Sequence, residues 1–83
     1  MRKDLRKERM LDYIEGYTAE NCCPPTIRDI QDELKIKSTS TIYGDLTELF
    51  EENKLNRIKG RSNRFAPKYT ESFKEKLLTR FGN

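Results

Sequence analysis

Two short runs of apolar residues at helical spacing lie close together between Pro24 and Phe50, and this pair restricts the fold more than any other feature. In each run the apolar residues recur every three or four positions, as on the buried face of an amphipathic helix. Few polar residues separate the runs, so the two helices are predicted to pack around a tight turn, as in a helix-turn-helix. The first run contains Ile27, Ile30, Leu34 and then Ile36, and the second contains Ile42, Leu46, Leu49 and Phe50.

Capping residues indicate where these two helices begin. Thr26 follows two prolines, and Asp29 stands three residues later, which resembles the capping box of a helix N-terminus. Ser38 is predicted to cap a third helix that starts at about Thr39. That helix is predicted to end at Asn53, in the left-handed conformation.

The rest of the sequence predicts one helix before this pair and a hairpin after it. Apolar residues at helical spacing predict a first helix from about Asp4 to Glu20. Apolar and polar residues alternate over 55–59, Gly60–Asn63 has turn composition, and 64–67 can return as a second strand. Leu55 and Phe65 of this hairpin are expected to cover the core.

The predicted fold class is mainly α with a small β-hairpin: a winged helix-turn-helix, with a three-helix core plus a two-stranded wing. Residues 1–68 are predicted to form this winged helix-turn-helix domain, and residues 69–83 to add an extra C-terminal amphipathic helix, capped by Thr70. This helix either packs on the domain's own helices or forms a homodimer interface, and we favour packing. Its apolar side is predicted to contain Phe73, Leu77, Leu78 and Phe81.

The composition fits one small domain with a highly charged surface. The chain has 83 residues, of which 37% are charged, so it can bury only a small core. No apolar run approaches the roughly 20 residues that span a bilayer. No apolar segment follows the basic N-terminus, as it would in a signal peptide. We therefore expect a cytoplasmic, nucleoid-associated protein with no membrane partner.

The residues that enzymes and metal sites need are scarce. The chain contains no histidine, the commonest general base, and its four glycines are scattered rather than gathered in a phosphate-binding loop. Cys22 and Cys23 are the only cysteines, so without histidine one copy of the chain cannot supply the four ligands of a zinc site. We expect no enzyme activity, no metal and no cofactor.

Charge is distributed unevenly along the sequence. Residues 38–52 contain four acids and no base, whereas residues 53–68 contain six bases and no acid. A clustered basic segment is typical of a protein that binds a polyanion, although it can also be an ordinary solvated surface. The six bases are Lys54, Arg57, Lys59, Arg61, Arg64 and Lys68.

The front of the third helix consists of small polar residues that suit contact with DNA. A helix that reads the major groove presents donors and acceptors near its N-terminus, and short side chains let it approach closely. The predicted wing adds Lys59, Arg61 and Arg64 around Gly60, where arginine can follow the minor groove. Asp45 is an exception in this helix: it could accept from a cytosine, pair with a lysine or face away. The polar residues are Ser38, Thr39, Ser40, Thr41, Tyr43 and Gly44.

Most of the chain resembles a known family. The segment MLDYIEGYTAENCCPPTIRDIQDELKIKSTSTIYGDLTELFEENKLNRIKGRSNRF is similar to the N-terminal DNA-binding domain of LexA, the SOS-response repressor, over about residues 5–66. The most specific part is PPTIRDI, followed by STST and the apolar spacing of the third helix. The resemblance implies a winged helix-turn-helix whose third helix reads the major groove and whose wing contacts the backbone and the minor groove.

The resemblance also implies roles for particular residues. Gly60 and Arg61 match the wing turn, and Arg28 lies at the start of the second helix, where the family tends to contact the DNA backbone. Thr39 would lie beside a phosphate, and Thr47 follows further along the helix. The groove-reading positions are matched by Ser38, Ser40, Thr41, Tyr43 and Gly44.

The chain departs from the LexA pattern in three ways. Its residues contain no counterpart of the larger domain with a serine-lysine self-cleavage centre, so autocleavage is not implied. Asn53 replaces the usual glycine at the end of the third helix, and the groove-reading residues differ from the commonest versions, so an SOS-box preference is not implied. The chain is either an excised domain or a small stand-alone relative, and its first methionine and last helix favour the second.

These patterns predict a sequence-specific, double-stranded DNA-binding transcriptional regulator and, more narrowly, a repressor. Helix 3, about 39–53, would read the major groove, and the wing, about 59–64, would contact phosphates or the minor groove. The alternatives are a winged-helix protein–protein interaction module, using the acidic residues 45–52, and a non-specific DNA-binding accessory protein. Backbone and wing contacts are predicted at Arg28, Lys37, Thr39, Thr47, Lys59, Gly60, Arg61, Ser62, Asn63 and Arg64.

Overall fold

The structure, a computed structural model, describes residues 3–58 and 64–81 of the chain. Three helices, an antiparallel hairpin and a further helix follow one another, which confirms the predicted winged helix-turn-helix with an extra C-terminal helix. Within these residues, no helix is long and apolar enough to cross a membrane. The elements are α1 (Lys3–Asn21), α2 (Ile27–Leu34), α3 (Thr39–Glu51), β1 (Leu55–Ile58), β2 (Arg64–Pro67) and α4 (Glu71–Phe81).

α2 begins as predicted because both halves of a capping box form at its N-terminus. The Asp29 N–H donates to the Thr26 hydroxyl at 3.1 Å, and the Thr26 N–H donates to the Asp29 carboxylate at 3.0 Å. These bonds satisfy donors that the first turn of a helix leaves free, and the bond from the Thr26 N–H is the main reason that the pKa of Asp29 lies below its usual value. At the other end, Lys35 adopts a left-handed conformation, with φ of 55°, and ends the helix.

α3 starts at the predicted residue and ends slightly before the predicted one. The Ser38 hydroxyl accepts from the Thr41 N–H at 3.4 Å and caps the helix. The helix ends at Glu51 because Asn53 is already left-handed, with φ of 62°. Two N–H groups after the helix then donate back to carbonyls of its last turns, at 3.0 and 2.9 Å, in a Schellman motif.

The core lies where the first three helices meet the hairpin. The apolar stripes of α2 and α3 contribute to it as predicted, except for Phe50, whose exposed fraction is 41%. Phe50 directly follows the buried Leu49, and one helical step of about 100° turns it away from the core. The prediction that Phe50 is buried is therefore wrong. The core cluster contains Met10, Ile14, Ile30, Ile42, Leu46, Leu49, Leu55 and Phe65.

β1 and β2 form the described part of the wing. They pair antiparallel, with Leu55 opposite Pro67 and Arg57 opposite Phe65. Leu55 and Phe65 are buried, which confirms that the hairpin covers the core. The predicted turn Gly60–Asn63 and the preceding Lys59 lie outside the described residues.

α4 packs against α1. It begins with a cap at Thr70, whose hydroxyl accepts from the Phe73 N–H at 3.2 Å, as predicted. Phe73 is buried, but Leu78 is 66% exposed, so the prediction that the two share one side is wrong. Five positions separate them, which is well over one full turn of 3.6 residues. The side chain of Phe81 lies outside what the structure describes.

Candidate nucleic-acid interface

The outward surface of α3 is polar, uncharged and exposed over most of its length. Ser40, Tyr43, Gly44 and Thr47 recur at intervals of three and four residues, so they lie on one side of the helix, opposite the apolar core residues. All four are exposed, and Tyr43 is 40% accessible. We call these four residues the outward face of α3. Glu51 adds one acid at its far end.

The N-terminal end of α3 presents further polar groups. Ser38 and Thr39 are exposed, and the first turn of the helix offers backbone N–H groups at the positive end of the helix dipole. Thr41 is different, because it is half-buried and lies in the row of Asp45 and Glu48, four and seven residues later. The structure therefore does not bring Thr41 onto the outward face with the other predicted base-reading residues.

Gly44 is a small residue that the packing of this chain does not require. A Cβ atom added at Gly44 would meet nothing within 4 Å. A glycine inside a helix costs about 1 kcal/mol relative to alanine. Gly44 therefore leaves an open surface on α3 where another molecule can approach the helix backbone closely.

Two predicted phosphate contacts lie at opposite ends of α2, one in its first turn and one in the turn that follows it. Arg28 lies in the first turn of α2, Lys37 lies in the turn, and both side chains are exposed. The Gln31 side-chain amide donates to the Lys37 carbonyl at 2.9 Å, which fixes the turn against α2. Arg28 and Lys37 therefore stand on backbone that capping and hydrogen bonds hold in place.

The wing shows a difference between its base and its predicted tip. Arg64, predicted as a wing contact, is half-buried, and its Nη1 donates to the Pro24 carbonyl at 3.5 Å. Arg64 thus connects β2 to the loop before α2. Arg57 was not among the predicted contacts, yet it is exposed, with its guanidinium 6.0 Å from the centre of the Phe65 ring. The sequence signal for Arg57 was its place in the basic segment 53–68.

The inner flank of α3 is acidic and is neutralised by α1. Asp45 is only 2% exposed, and its carboxylate accepts from both Nε and Nη2 of Arg6, the latter at 3.0 Å. This settles the three options for Asp45: it faces away from solvent and pairs with an arginine instead of a lysine. The bond to Asp45 raises the pKa of Arg6 above its usual value.

Two more acids, Glu48 of α3 and the C-cap residue Glu52, pair with α1 beside Asp45. Lys3 pairs with Glu48, and Lys7 Nζ lies 2.6 Å from Glu52 Oε2 and 3.6 Å from Glu48 Oε1. The bond from Lys3 is the main cause that lowers the pKa of Glu48, and the bond from Lys7 has that role for Glu52. Sequence reasoning missed these pairs because about forty residues separate the partners along the chain.

A three-helix core, a hairpin wing and a third helix with a polar outward face define a winged helix-turn-helix of the DNA-binding class. The family model of the LexA DNA binding domain matches residues 4–64. The chain therefore belongs to the LexA DNA-binding domain family, and α4 lies beyond the matched residues.

Relatives named LexA repressor match part of the chain. The LexA repressor of Roseiflexus sp. (strain RS-1) is 46% identical over 44 residues, which cover 53% of this chain and 20% of that protein. The LexA repressor of Caldicellulosiruptor saccharolyticus is 41% identical over 51 residues, covering 59% of this chain and 25% of that protein. The chain thus spans about a fifth to a quarter of the length of the curated relatives it matches. No solved structure gives a significant match.

Proposed function

We propose that this chain is a sequence-specific, double-stranded DNA-binding transcriptional regulator that acts as a repressor. The observation that carries the proposal is the outward face of α3, a polar, uncharged and exposed surface in a member of the LexA DNA-binding domain family. The relatives named LexA repressor support the narrower role.

In this proposal the front of α3 enters the major groove. Side-chain hydroxyls can donate to and accept from base edges, and they can also contact the methyl group of thymine. Gly44 leaves room for the helix backbone to approach the bases, since a Cβ there would meet nothing inside the chain. Thr41 drops out of this set, because it is half-buried and off the outward face. The proposed base contacts are Ser38, Ser40, Tyr43 and Gly44.

Contacts to phosphates supply most of the proposed affinity. Arg28 is exposed at the start of α2 and Lys37 in the turn before α3, and Thr39 and Thr47 are exposed on α3. For the wing, the proposal rests on the family resemblance and the basic composition of the segment. Arg64 is assigned a different part, which is to hold the wing against the loop before α2. The proposed wing contacts are Lys59, Gly60, Arg61, Ser62 and Asn63.

The acidic surface of α3 argues against the protein-interaction alternative. Asp45, Glu48 and Glu52 are paired with basic side chains of α1. A protein partner would have to displace these cations in order to use the acids.

A homodimer through residues 69–83 is a further proposal, supported by the exposure of Leu78 and Tyr69 at 66% and 70%.

Fluorescence anisotropy with a duplex selected from random sequence, and with random duplex, tests the proposal. If about five phosphates are neutralised, the slope of log affinity against log salt should be roughly −4 to −5. Arg28→Ala should weaken binding to both duplexes, and Lys74→Ala, which removes one charge from α4, is the matched control. Tyr43→Ala should change the preferred sequence, since base contacts specify and phosphate contacts position. No binding at low salt would refute the proposal, and equal binding to both duplexes would favour the non-specific accessory protein.

A further inference from the structure

Ion pairs connect one side of α1 to one side of α3, and we call them the α1–α3 ion-pair network. The acids occupy positions 45 and 48 on one side of α3 and position 52, which directly follows the helix. The bases occupy positions 3, 6 and 7 in the first turns of α1. The pairs are Lys3 with Glu48, Arg6 with Asp45, and Lys7 with Glu48 and Glu52.

The pair at the centre of this network differs from its neighbours in burial and geometry. The side chain of Asp45 is 2% exposed and that of Arg6 is 22% exposed, whereas Glu48 and Glu52 are about 40% exposed. Arg6 donates to Asp45 through two nitrogens, and this planar pair of donors fits a carboxylate in one orientation. The Arg6–Asp45 pair therefore fixes direction as well as distance between the two helices.

The position of Asp45 in α3 connects this geometry to the outward face. Asp45 directly follows Tyr43 and Gly44 in sequence, so the rotation of α3 that brings Asp45 to Arg6 also turns those two residues outward. The apolar residues of α3 hold the helix against the core, but hydrophobic contacts are non-directional. A slight rotation of α3 would keep most of that burial and still move the outward face relative to the bases.

We propose that Arg6 and Asp45 are positioning residues that set the rotation of α3 for base reading. This inference rests on the proposed function, because it assigns a role to residues that do not themselves touch DNA. A buried ion pair is weak grounds for stability but a good means of fixing one arrangement among several. The expected signature is a loss of sequence discrimination in a protein that is still folded.

The test compares affinity for the selected duplex with affinity for random duplex in folded variants. Arg6→Lys keeps the charge and removes the planar pair of donors, and Asp45→Asn keeps the shape and removes the charge of the buried carboxylate. Each should lower the ratio of the two affinities about tenfold, the order of one lost base contact, with random-duplex affinity within about twofold of wild type. The salt slope should stay unchanged, because no phosphate contact is removed.

Two further variants separate positioning from stability. Lys76→Met removes a cation of α4 that pairs with another buried carboxylate, that of Glu15 on α1. This variant should leave the affinity ratio at its wild-type value. Arg6→Met combined with Asp45→Leu replaces the pair by apolar side chains, which often restores stability. If the pair positions α3, this double variant should be folded and its affinity ratio should remain low.

The outcomes distinguish this inference from the proposed function. Wild-type protein without sequence preference would refute the proposed function, and the inference would fall with it. Wild-type preference together with unchanged ratios in Arg6→Lys and Asp45→Asn would overturn the inference alone. So would a uniform loss of affinity with a shallower salt slope in the double variant Arg6→Met and Asp45→Leu, which removes the Arg6 charge, since Arg6 would then be a phosphate contact.

Discussion

Two carboxylates are almost completely buried in the described residues, and they are stabilised in different ways. Asp45 on α3 and Glu15 on α1 are each 2% exposed. Asp45 receives its hydrogen bonds from a single residue, Arg6. Glu15 receives them from three residues, which are Ser72 at 2.9 Å, Lys76 at 3.0 Å and Thr70 at 3.2 Å.

The difference concerns how each helix is held in place. Burying a charge is costly unless it is paired and hydrogen-bonded, so each carboxylate makes the position of its partner helix matter. Asp45 depends on one arginine, and both partners lie within the residues that match the LexA family. The donors to Glu15 lie in or just before α4, outside the matched residues. The buried carboxylate of the α1–α4 contact therefore has several donor residues, whereas the buried carboxylate of the α1–α3 contact has one, Arg6.

The largest effect on stability is expected when Arg6 is removed. Arg6→Met leaves the Asp45 carboxylate buried with neither of its hydrogen bonds, and it should lower the free energy of unfolding by about 3 kcal/mol, the low end for breaking a buried ion pair. The low end applies because Arg6 is 22% exposed, so water can reach part of the site. Urea unfolding followed by circular dichroism measures the change. A loss below about 1 kcal/mol would show that water replaces Arg6 easily.

A smaller effect is expected when Lys76 is removed. In Lys76→Met the Glu15 carboxylate keeps the hydroxyl donors of Ser72 and Thr70. The free energy of unfolding should fall by about 1.5 kcal/mol, the low end for one hydrogen bond to a charged group. The same urea titration measures it beside Arg6→Met. Equal losses in the two variants would contradict the distinction between a single donor and several donors.

The stabilisation that Lys76 provides should depend on pH in the alkaline range. Partial burial alone would lower the pKa of Lys76, but hydrogen bonds to Asp12 and Glu15 outweigh it and raise that pKa. A group whose pKa is raised by folding stabilises the protein below its unfolded pKa, and this stabilisation is lost as the pH rises through the folded pKa. Wild-type protein should therefore lose it above roughly pH 10.4, the ordinary lysine pKa.

The matched variant for this pH dependence is Lys76→Arg, because arginine stays charged throughout the alkaline range. The free energy of unfolding is measured from about pH 9 to about pH 11.5 in both proteins. The other lysines and tyrosines titrate in both, so the difference between the two curves reports Lys76 alone. Parallel curves would mean that Lys76 does not stabilise the α1–α4 contact through its charge.

The helix starts could be predicted from the sequence because the signals for them are local. Thr26 caps α2, Ser38 caps α3 and Thr70 caps α4, each through a bond to a residue three positions away. The same local reasoning failed for Phe50 and Leu78, where an apolar residue sits beside the buried stripe and turns outward. Composition and spacing do not state how wide a buried stripe is.

The candidate site was predictable only on the side that faces outward. The exposed polar residues of α3 form a continuous pattern in the sequence, so their shared surface was visible there. The partners of Asp45 and Glu15 are 39 and 61 positions away, and no local pattern connects them. Arg64 shows the same limit, since its contact with the carbonyl of Pro24 spans 40 positions. Arg64 was predicted to contact DNA because it is a basic residue near the wing, and the sequence does not show that it bonds to a carbonyl inside the protein.

The smallest effect is expected at Lys7, because its partner carboxylates are the exposed ones of the α1–α3 ion-pair network. Glu52 is 42% exposed, so water solvates its carboxylate with or without the lysine, and exposed pairs of this kind contribute little. Lys7→Gln should lower the urea midpoint only slightly at neutral pH. Because the bond from Lys7 lowers the pKa of Glu52, the stabilisation is present above about pH 4.3 and is lost as the pH falls through the lowered pKa.

The difference between Lys7→Gln and wild type should therefore disappear as the pH falls through the lowered pKa of Glu52, and it should shrink in concentrated salt. Lys54→Gln is the matched control, since Lys54 lies 3.6 Å from the same Glu52 carboxylate and is 55% exposed. Lys54→Gln should change the urea midpoint less than Lys7→Gln does, because the Lys7 side chain is only 11% exposed. If Lys7→Gln destabilises the protein as much as Arg6→Met, the network acts as one cooperative unit. The buried Arg6–Asp45 pair would then not be the element that fixes α3.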